Sequence, residues 1–301
     1  MSYLLTRTES RPLGKGGPSV FPIAWGMWRF AGPPADARRL VEAVLETGVN
    51  LLDTADIYGF DGATGFGDAE RLLGEVFRSA PGLRDRMVLA TKGGIRPPVP
   101  YDSSAGYLAR ALDGSLARMG VERVELYQIH RPDILTHPHE LARTVEAMVA
   151  SGKVGAVGLS NTTVAQTRAL ADLLTVPLAT IQPELSPLAI EPFDNGLLDL
   201  AMERELAVLA WSPLGGGRVP TPDDDRSRAV AAALDRKAAE AGVSRAATAY
   251  SWIMAHPAAP IPIVGTQSIE RLGDIADALI PRWTRTEWYE VLVASMGESL
   301  P

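Results

Sequence analysis

The feature that most constrains this chain is an alternation that runs through nearly all of it. Short aliphatic segments bounded by breakers are each followed by a longer segment of helical periodicity, and eight such pairs occur in a row. The strand candidates are Val20–Ala24, Asn50–Thr54, Met87–Thr91, Glu125–His130, Val154–Leu159, Ala179–Gln182, Ala207–Trp211 and Ile261–Val264. The helix candidates are Ala35–Thr47, Asp68–Ser79, Ser104–Met119, Pro138–Ala150, Thr163–Leu174, Leu197–Glu205, Ser227–Ala241 and Ser268–Leu279. Gly48, Gly120, Gly152 and Gly242 stand at or just past four helix ends, where a residue free to turn left-handed stops a helix. Strands separated by helices must run parallel, because each helix carries the chain back across the sheet. Eight such units without a composition break predict an α/β fold, a closed (β/α)8 TIM barrel, with residues 1–301 as a single domain. A doubly wound open sheet is the alternative with the same local pattern. Leu4–Thr8 with a partner near Leu13 is expected to form a short N-terminal β-hairpin closing the barrel bottom. Trp283–Ala294 is expected to form an extra C-terminal helix.

Several function classes drop out on composition. With no cysteine, the chain has no disulfide, thiolate metal site or cysteine nucleophile. The net charge of −7 comes without a Lys/Arg cluster, which argues against nucleic acid as a partner. Met1–Ser10 has no basic region followed by an apolar run, and no stretch is long and apolar enough to span a bilayer. The expectation is a cytoplasmic protein with no membrane partner.

In a parallel barrel, chemistry sits on the loops that follow the strands. Four titratable residues stand at or just after strand ends: Asp53, Tyr58, Lys92 and His130. A lysine beside a phenol stabilises phenolate and lowers its pKa, and a carboxylate beside the lysine keeps it charged and oriented. A histidine opposite can donate a hydrogen bond to a substrate oxygen. Together they make a proton donor and an electrophilic pocket aimed at a carbonyl that is becoming an alkoxide. Each residue also has an ordinary reading taken singly: a turn cap for Asp53, a solvated strand end for Lys92, a core histidine for His130, a loop aromatic for Tyr58.

The surrounding segments carry a resemblance. LLDTADIYG, LATKGG, LYQIHRPD, SGKVGAVGLSN, IQPELSP, AWSPLGGGR and VGTQSIERL occur in the order found in the aldo-keto reductases, and the chain resembles a bacterial branch with HRPD and SPLGGGR-type loops. The resemblance implies reduction of an aldehyde or ketone by hydride from NADPH, with Tyr58 as general acid assisted by Lys92, Asp53 and His130. It also implies that Ser160, Asn161 and Gln182 hold the nicotinamide carboxamide and that Trp211 stacks on the nicotinamide ring. Ser212, Leu214, Gly216 and Arg218 belong to the loop over the pyrophosphate. Arg271 grips the adenosine 2′-phosphate, with Gly265, Thr266 and Ser268 beside it. Met27 and Trp28 complete the cofactor wall, and Trp28 and Arg131 flank the substrate with Tyr58 and His130. One position departs from much of the family: Gly265 stands where a lysine is common, six residues before Arg271. NADPH preference then rests on Arg271, with NADH possible but weaker. The partner implied is a small-molecule carbonyl, and a monomer is the family default. A nicotinamide-binding regulatory or sensor subunit on the same barrel is the alternative, and a lyase or isomerase on an unrelated barrel is a third.

Other motifs read as structure. His137-Pro138-His139 cannot set both rings on one helix face, and no metal is expected. Gly65-Phe66-Gly67 lacks the third glycine of a dinucleotide fingerprint and follows a loop, so it reads as a turn and helix start. Asp223-Asp224-Asp225 suits a helix start, and Trp252 and Trp288 suit packing.

Overall fold

The aliphatic runs pair side by side and close on themselves. In the computed structural model, which describes residues 3, 4 and 6–300, the barrel strands are β1 (Ala24–Gly26), β2 (Leu51–Asp53), β3 (Val88–Gly93), β4 (Val124–Ile129), β5 (Val154–Ser160), β6 (Leu178–Gln182), β7 (Ala207–Ala210) and β8 (Ile261–Val264). All are parallel and pair in chain order, with β8 closing onto β1 through Ile263 opposite Ala24. The intervening helices are α1 (Pro34–Glu46), α2 (Asp68–Ser79), α3 (Ala105–Met119), α4 (Pro138–Ala150), α5 (Val164–Ala171), α6 (Leu197–Glu203), α7 (Asp225–Ala241), α8 (Arg245–Met254) and α9 (Gly273–Asp277), followed by the terminal α10 (Arg285–Met296).

Local chemistry accounts for the helix ends. Pro34 and Pro138 start α1 and α4 at positions that need no N–H donor. Thr163, Asp224 and Thr284 each form a reciprocal capping box. The four glycines expected to stop helices all take positive φ.

Strand alternation sorts the side chains into two layers. Outward residues such as Trp25, Leu52, Leu89, Tyr127 and Ile129 pack against the helices. Inward residues such as Ala24, Leu51, Val88, Ala90, Leu126, Leu209 and Ile261 fill the barrel and meet Leu13 and Val20. Those two are wholly buried. Continuing the inward parity past this apolar layer reaches Asp53, Lys92, Gln128, Thr180 and Gln182, all buried and hydrogen-bonded to one another. The strand period thus lifts a polar layer onto an apolar floor.

Three local expectations change. The N-terminal hairpin pairs Arg11–Pro12 with Ser19–Val20. In the expected Leu4–Thr8 strand, Leu5 lies outside the described residues and Thr6–Thr8 carry no strand. Val20 therefore belongs to the hairpin, and β1 begins at Ala24. The expected helix Ser268–Leu279 divides into a 3-10 turn, Ile269–Leu272, and the short α9. The unexpected α8 sits between α7 and β8 because an all-round apolar segment, buried from Ala247 to Met254, hides its amphipathic period. A second small hairpin, Ile95–Arg96 with Val99–Tyr101, follows β3. A cleft of about 330 Å³ between the Leu13–Pro18 loop and the starts of β4 to β6 lies at the end of the barrel opposite the polar layer. Among the described residues, no helix is long and apolar enough to cross a membrane.

Candidate active site

The polar layer is organised by one lysine. Lys92, fully buried, donates from Nζ to Asp53 Oδ2 at 2.6 Å, to the Thr54 carbonyl at 2.9 Å and to the Tyr58 hydroxyl at 3.0 Å. The three partners come from β2 and the turn after it, whereas Lys92 ends β3. The register that sets Asp53 opposite Ala90 places the lysine one inward step above the carboxylate. Asp53 Oδ1 is occupied in turn by Gln128 Nε2 at 3.1 Å and Gln182 Nε2 at 3.2 Å. Gln128 was not among the expected site residues. Its signal was its inward parity, two residues before His130 on the same strand. Space for it depends on Gly158, where an added carbon would lie 2.0 Å from Thr180 Oγ1 and 3.0 Å from Gln128 Cγ.

The charges follow from these contacts. Burial opposes a charge on Lys92, but Asp53 and the Tyr58 oxygen more than offset it, and its pKa moves up. Burial pushes the Tyr58 phenol above its ordinary value; Lys92 opposes the shift through charge and hydrogen bond, and Asp53 reinforces it. The net direction is upward, which reverses the lowering expected from the lysine alone. Burial, with Lys92 and Arg131 adding, holds the His130 pKa well below its usual value, so the ring is neutral. Its Nδ1 is buried without a partner, which leaves Nε2 as the nitrogen open to a ligand. The His130 and Tyr58 rings meet edge-on at 5.8 Å, and Trp28 meets Tyr58 edge-on at 5.9 Å. Trp28 is 66% exposed, so its ring stands as a free wall of the opening.

The opposite wall starts at the ends of β5 to β7. Trp211 Nε1 donates to Asn161 Oδ1 at 2.9 Å, and Asn161 Nδ2 donates to Ser160 Oγ at 2.8 Å. Ser160 Oγ donates to the Gln182 carbonyl at 3.0 Å. Asn161 adopts a φ of 58° to make these bonds. The Arg131 guanidinium lies 5.8 Å from the centre of the Trp211 ring. Two expected contacts sit deeper than a wall. Met27 is wholly buried with its N–H on the Asp53 carbonyl, and the Gln182 amide nitrogen faces Asp53 and Gln128.

Beyond Trp211 the chain is open. The Ser212 hydroxyl accepts from the Gly216 N–H at 2.9 Å, and Gly215, Gly216 and Gly217 all have positive φ. Leu214 is half-buried beneath them. Arg218 Nε donates to the Gly215 carbonyl at 3.3 Å, and its Nη1 lies 3.7 Å from Asp224. Thr266 Oγ1 accepts from the Ser268 N–H at 3.2 Å, and Ser268 Oγ meets Glu270. Gly265 and Arg271 are exposed, and Arg271 pairs with no carboxylate among the described residues.

These elements together match one family. A sequence model described as the Aldo/keto reductase family matches residues 22–291. The chain belongs to the aldo-keto reductase family. It is 58% identical over 304 residues to a 6-dehydroglucose reductase of Novosphingobium aromaticivorans, covering all of both chains. It is 38% identical to a 6-dehydroglucose reductase of Agrobacterium fabrum, covering 92% of this chain and 95% of that one. Among solved structures it resembles the glycerol dehydrogenase of Gluconobacter oxydans at 25% identity, with a TM-score of 0.81 and 98% of each chain covered. Aldo-keto reductases are oxidoreductases that typically use a nicotinamide cofactor, and the mouth fits that group. An indole wall is fixed by a side-chain amide, a glycine loop has open space at Gly216 and Gly217, and two guanidiniums are left for phosphates.

Proposed function

We propose that this aldo-keto reductase uses NADPH to reduce the aldehyde of an oxidised sugar, with 6-dehydroglucose as the leading candidate. We read residues 1–301 as one barrel domain, acting as a monomer in the cytoplasm. The observation that carries the reading is the bridge from Asp53 through Lys92 to the Tyr58 hydroxyl, at 2.6 and 3.0 Å, beside a neutral His130. The identity of the close relative supports the substrate class.

In this reading the bound nicotinamide supplies the hydride. Tyr58 enters the reaction protonated, because its phenol pKa lies above the ordinary value. It gives its proton to the carbonyl oxygen as charge develops there. Lys92 stays charged, stabilises the phenolate left behind, and is held on line by Asp53. His130 donates from Nε2 to the same oxygen and polarises it. Trp28 and Arg131 border the sugar. Trp211 and Asn161 border the nicotinamide, with Ser160 and Gln182 behind them, while Arg218 and Arg271 take the phosphates. Met27 supports this wall from within the core.

The first test is a fluorescence titration of the protein with NADPH and, separately, NADH, followed by an assay of NADPH oxidation with 6-dehydroglucose. Saturable quenching, tighter for NADPH, with turnover of the sugar aldehyde is the expected result. Quenching without turnover of any carbonyl would favour a sensor. Absence of quenching by either cofactor would remove the reductase reading.

A further inference from the structure

On the helix side of Lys92 lies a second group of buried polar atoms that the reaction does not use. Asp56 is fully buried, and neither carboxyl oxygen meets a hydrogen-bond partner among the described residues. The Tyr127 hydroxyl, from β4, and Ser103 Oγ, ahead of α3, are also buried and unpartnered. These groups converge on the glycines that follow Lys92. A carbon added to Gly93 would stand 2.1 Å from the Tyr127 oxygen and 3.3 Å from Asp56 Oδ2, and one added to Gly94 would stand 3.5 Å from Ser103 Oγ. Gly93 therefore leaves one small space that both the acid and the phenol face.

The neighbouring cations are committed elsewhere. Arg118, from α3, donates to Glu70 Oε2 at 2.7 Å, and the other Glu70 oxygen takes the Thr91 hydroxyl at 2.6 Å. Lys92 Nζ is held inside the barrel by Asp53, Thr54 and Tyr58. An ionised Asp56 would lie near the Glu70 carboxyl in a buried layer whose cations are already paired, which favours the protonated carboxyl. The backbone ties this residue to the reaction. The Asp56 N–H donates to the Lys92 carbonyl at 3.0 Å, and the Tyr58 N–H donates to the Ala55 carbonyl at 3.1 Å.

We propose that Asp56 is a positioning residue: as a neutral acid it pairs with the Tyr127 hydroxyl in the space beside Gly93, directly or across one water, and fastens the turn carrying Tyr58 to the strand end carrying Lys92. The groups around it agree. Burial, then Glu70 from α2, push the Asp56 carboxyl well above the usual range, against the pulls of Arg118, the Ile57 N–H and Lys92. Tyr127 is pushed well up by burial, with Asp56, Glu70 and Tyr107 adding, so it too keeps its proton.

The kinetic part of the proposal rests on Tyr58 being the acid, so the test also has an arm that needs no turnover. A carboxyl whose folded pKa exceeds its unfolded one loses stability as pH rises from the unfolded value toward the folded one. The Tm of D56N relative to wild type should therefore climb between pH of about 4 and 7. A difference that is flat or falls with pH would overturn the neutral acid, whether or not the chain reduces a sugar. In steady-state kinetics, D56A and Y127F should lower kcat by about tenfold or more while KM changes less than about twofold. D56N, of the same shape and uncharged, should restore most of the turnover lost in D56A. If D56N is as impaired as D56A, the carboxyl acts as an anion and the proposal fails. If D56A turns over like wild type, Asp56 positions nothing. Should D56A not fold, D56N and Y127F decide the matter.

Discussion

The two walls of the barrel mouth differ in how much of their bonding the chain satisfies by itself. On the β2–β4 side, Asp53 and Lys92 are buried, and each already has its partners at hydrogen-bond distance. On the β7–β8 side, Gly216, Gly217, Gly265 and Arg271 are exposed, and the guanidiniums of Arg218 and Arg271 come no closer than 3.7 Å to a carboxylate among the described residues. The first wall has the character of a preorganised site, whose groups need no rearrangement when charge develops. The second leaves exposed glycines and guanidiniums that, on the proposed reading, a phosphate-bearing ligand would order. On the proposed reading, the contrast assigns rate and cofactor choice to separate parts of the mouth, so each should change with little effect on the other.

The largest expected effect comes from removing the proposed acid. Tyr58→Phe should lower turnover by about 10²- to 10⁴-fold while cofactor affinity, measured by fluorescence titration, stays near wild type. An equal loss of affinity would show the walls to be coupled. Lys92→Met should follow, because it leaves the Asp53 charge buried without its cation; chemical denaturation should show a loss of roughly 3–5 kcal/mol. The same variant tests the titration. In wild type the alkaline fall in kcat should lie above the ordinary phenol value of 10, because burial raises the Tyr58 pKa, and without the opposing Lys92 it should move higher still. A fall that moves lower would break the assigned coupling. On the other wall, Arg271→Ala should weaken NADPH by about tenfold or more and leave NADH nearly unchanged, as expected for one lost charge-assisted contact. Equal losses for both cofactors would mean that Arg271 does not read the 2′-phosphate. The smallest effect should be a gain. Gly265 has no atom within 4 Å of an added carbon and no positive φ, so Gly265→Lys introduces a cation without strain. NADPH should bind several-fold tighter in Gly265→Lys at unchanged kcat; a lower kcat there would again link the two walls.

How much of this was legible in the sequence follows the same division. The barrel could be read because aliphatic runs and helical periods alternate, and both are local properties. Asp53, Lys92 and His130 could be read because strand ends are the places where chemistry gathers in such a fold. Gln128 could not be read beyond its inward parity, since only a neighbouring strand brings Asp53 to it. Nor could the rise in the Tyr58 pKa, because a residue list shows the lysine but not the burial that outweighs it. Asp56 passed unnoticed beside Asp53 for a similar reason: the two face opposite layers of the barrel. The N-terminal hairpin was misplaced because Val20 is as apolar as the strand beyond it, and only the short bend at residues 21–23 separates them.

The floor of the barrel has a kinetic meaning. Leu13 and Val20, wholly buried, meet the inward residues below the polar layer, so the polar layer is closed from beneath and is reached only from the strand-end side. On the proposed reading, a cofactor along Trp211 and the glycine loop and a carbonyl at Tyr58 and His130 share that opening. Whichever of the two lies deeper has to enter first and leave last. On the proposed reading such a queue predicts ordered kinetics, and weakening Arg218 or Arg271 should hasten release of the nucleotide.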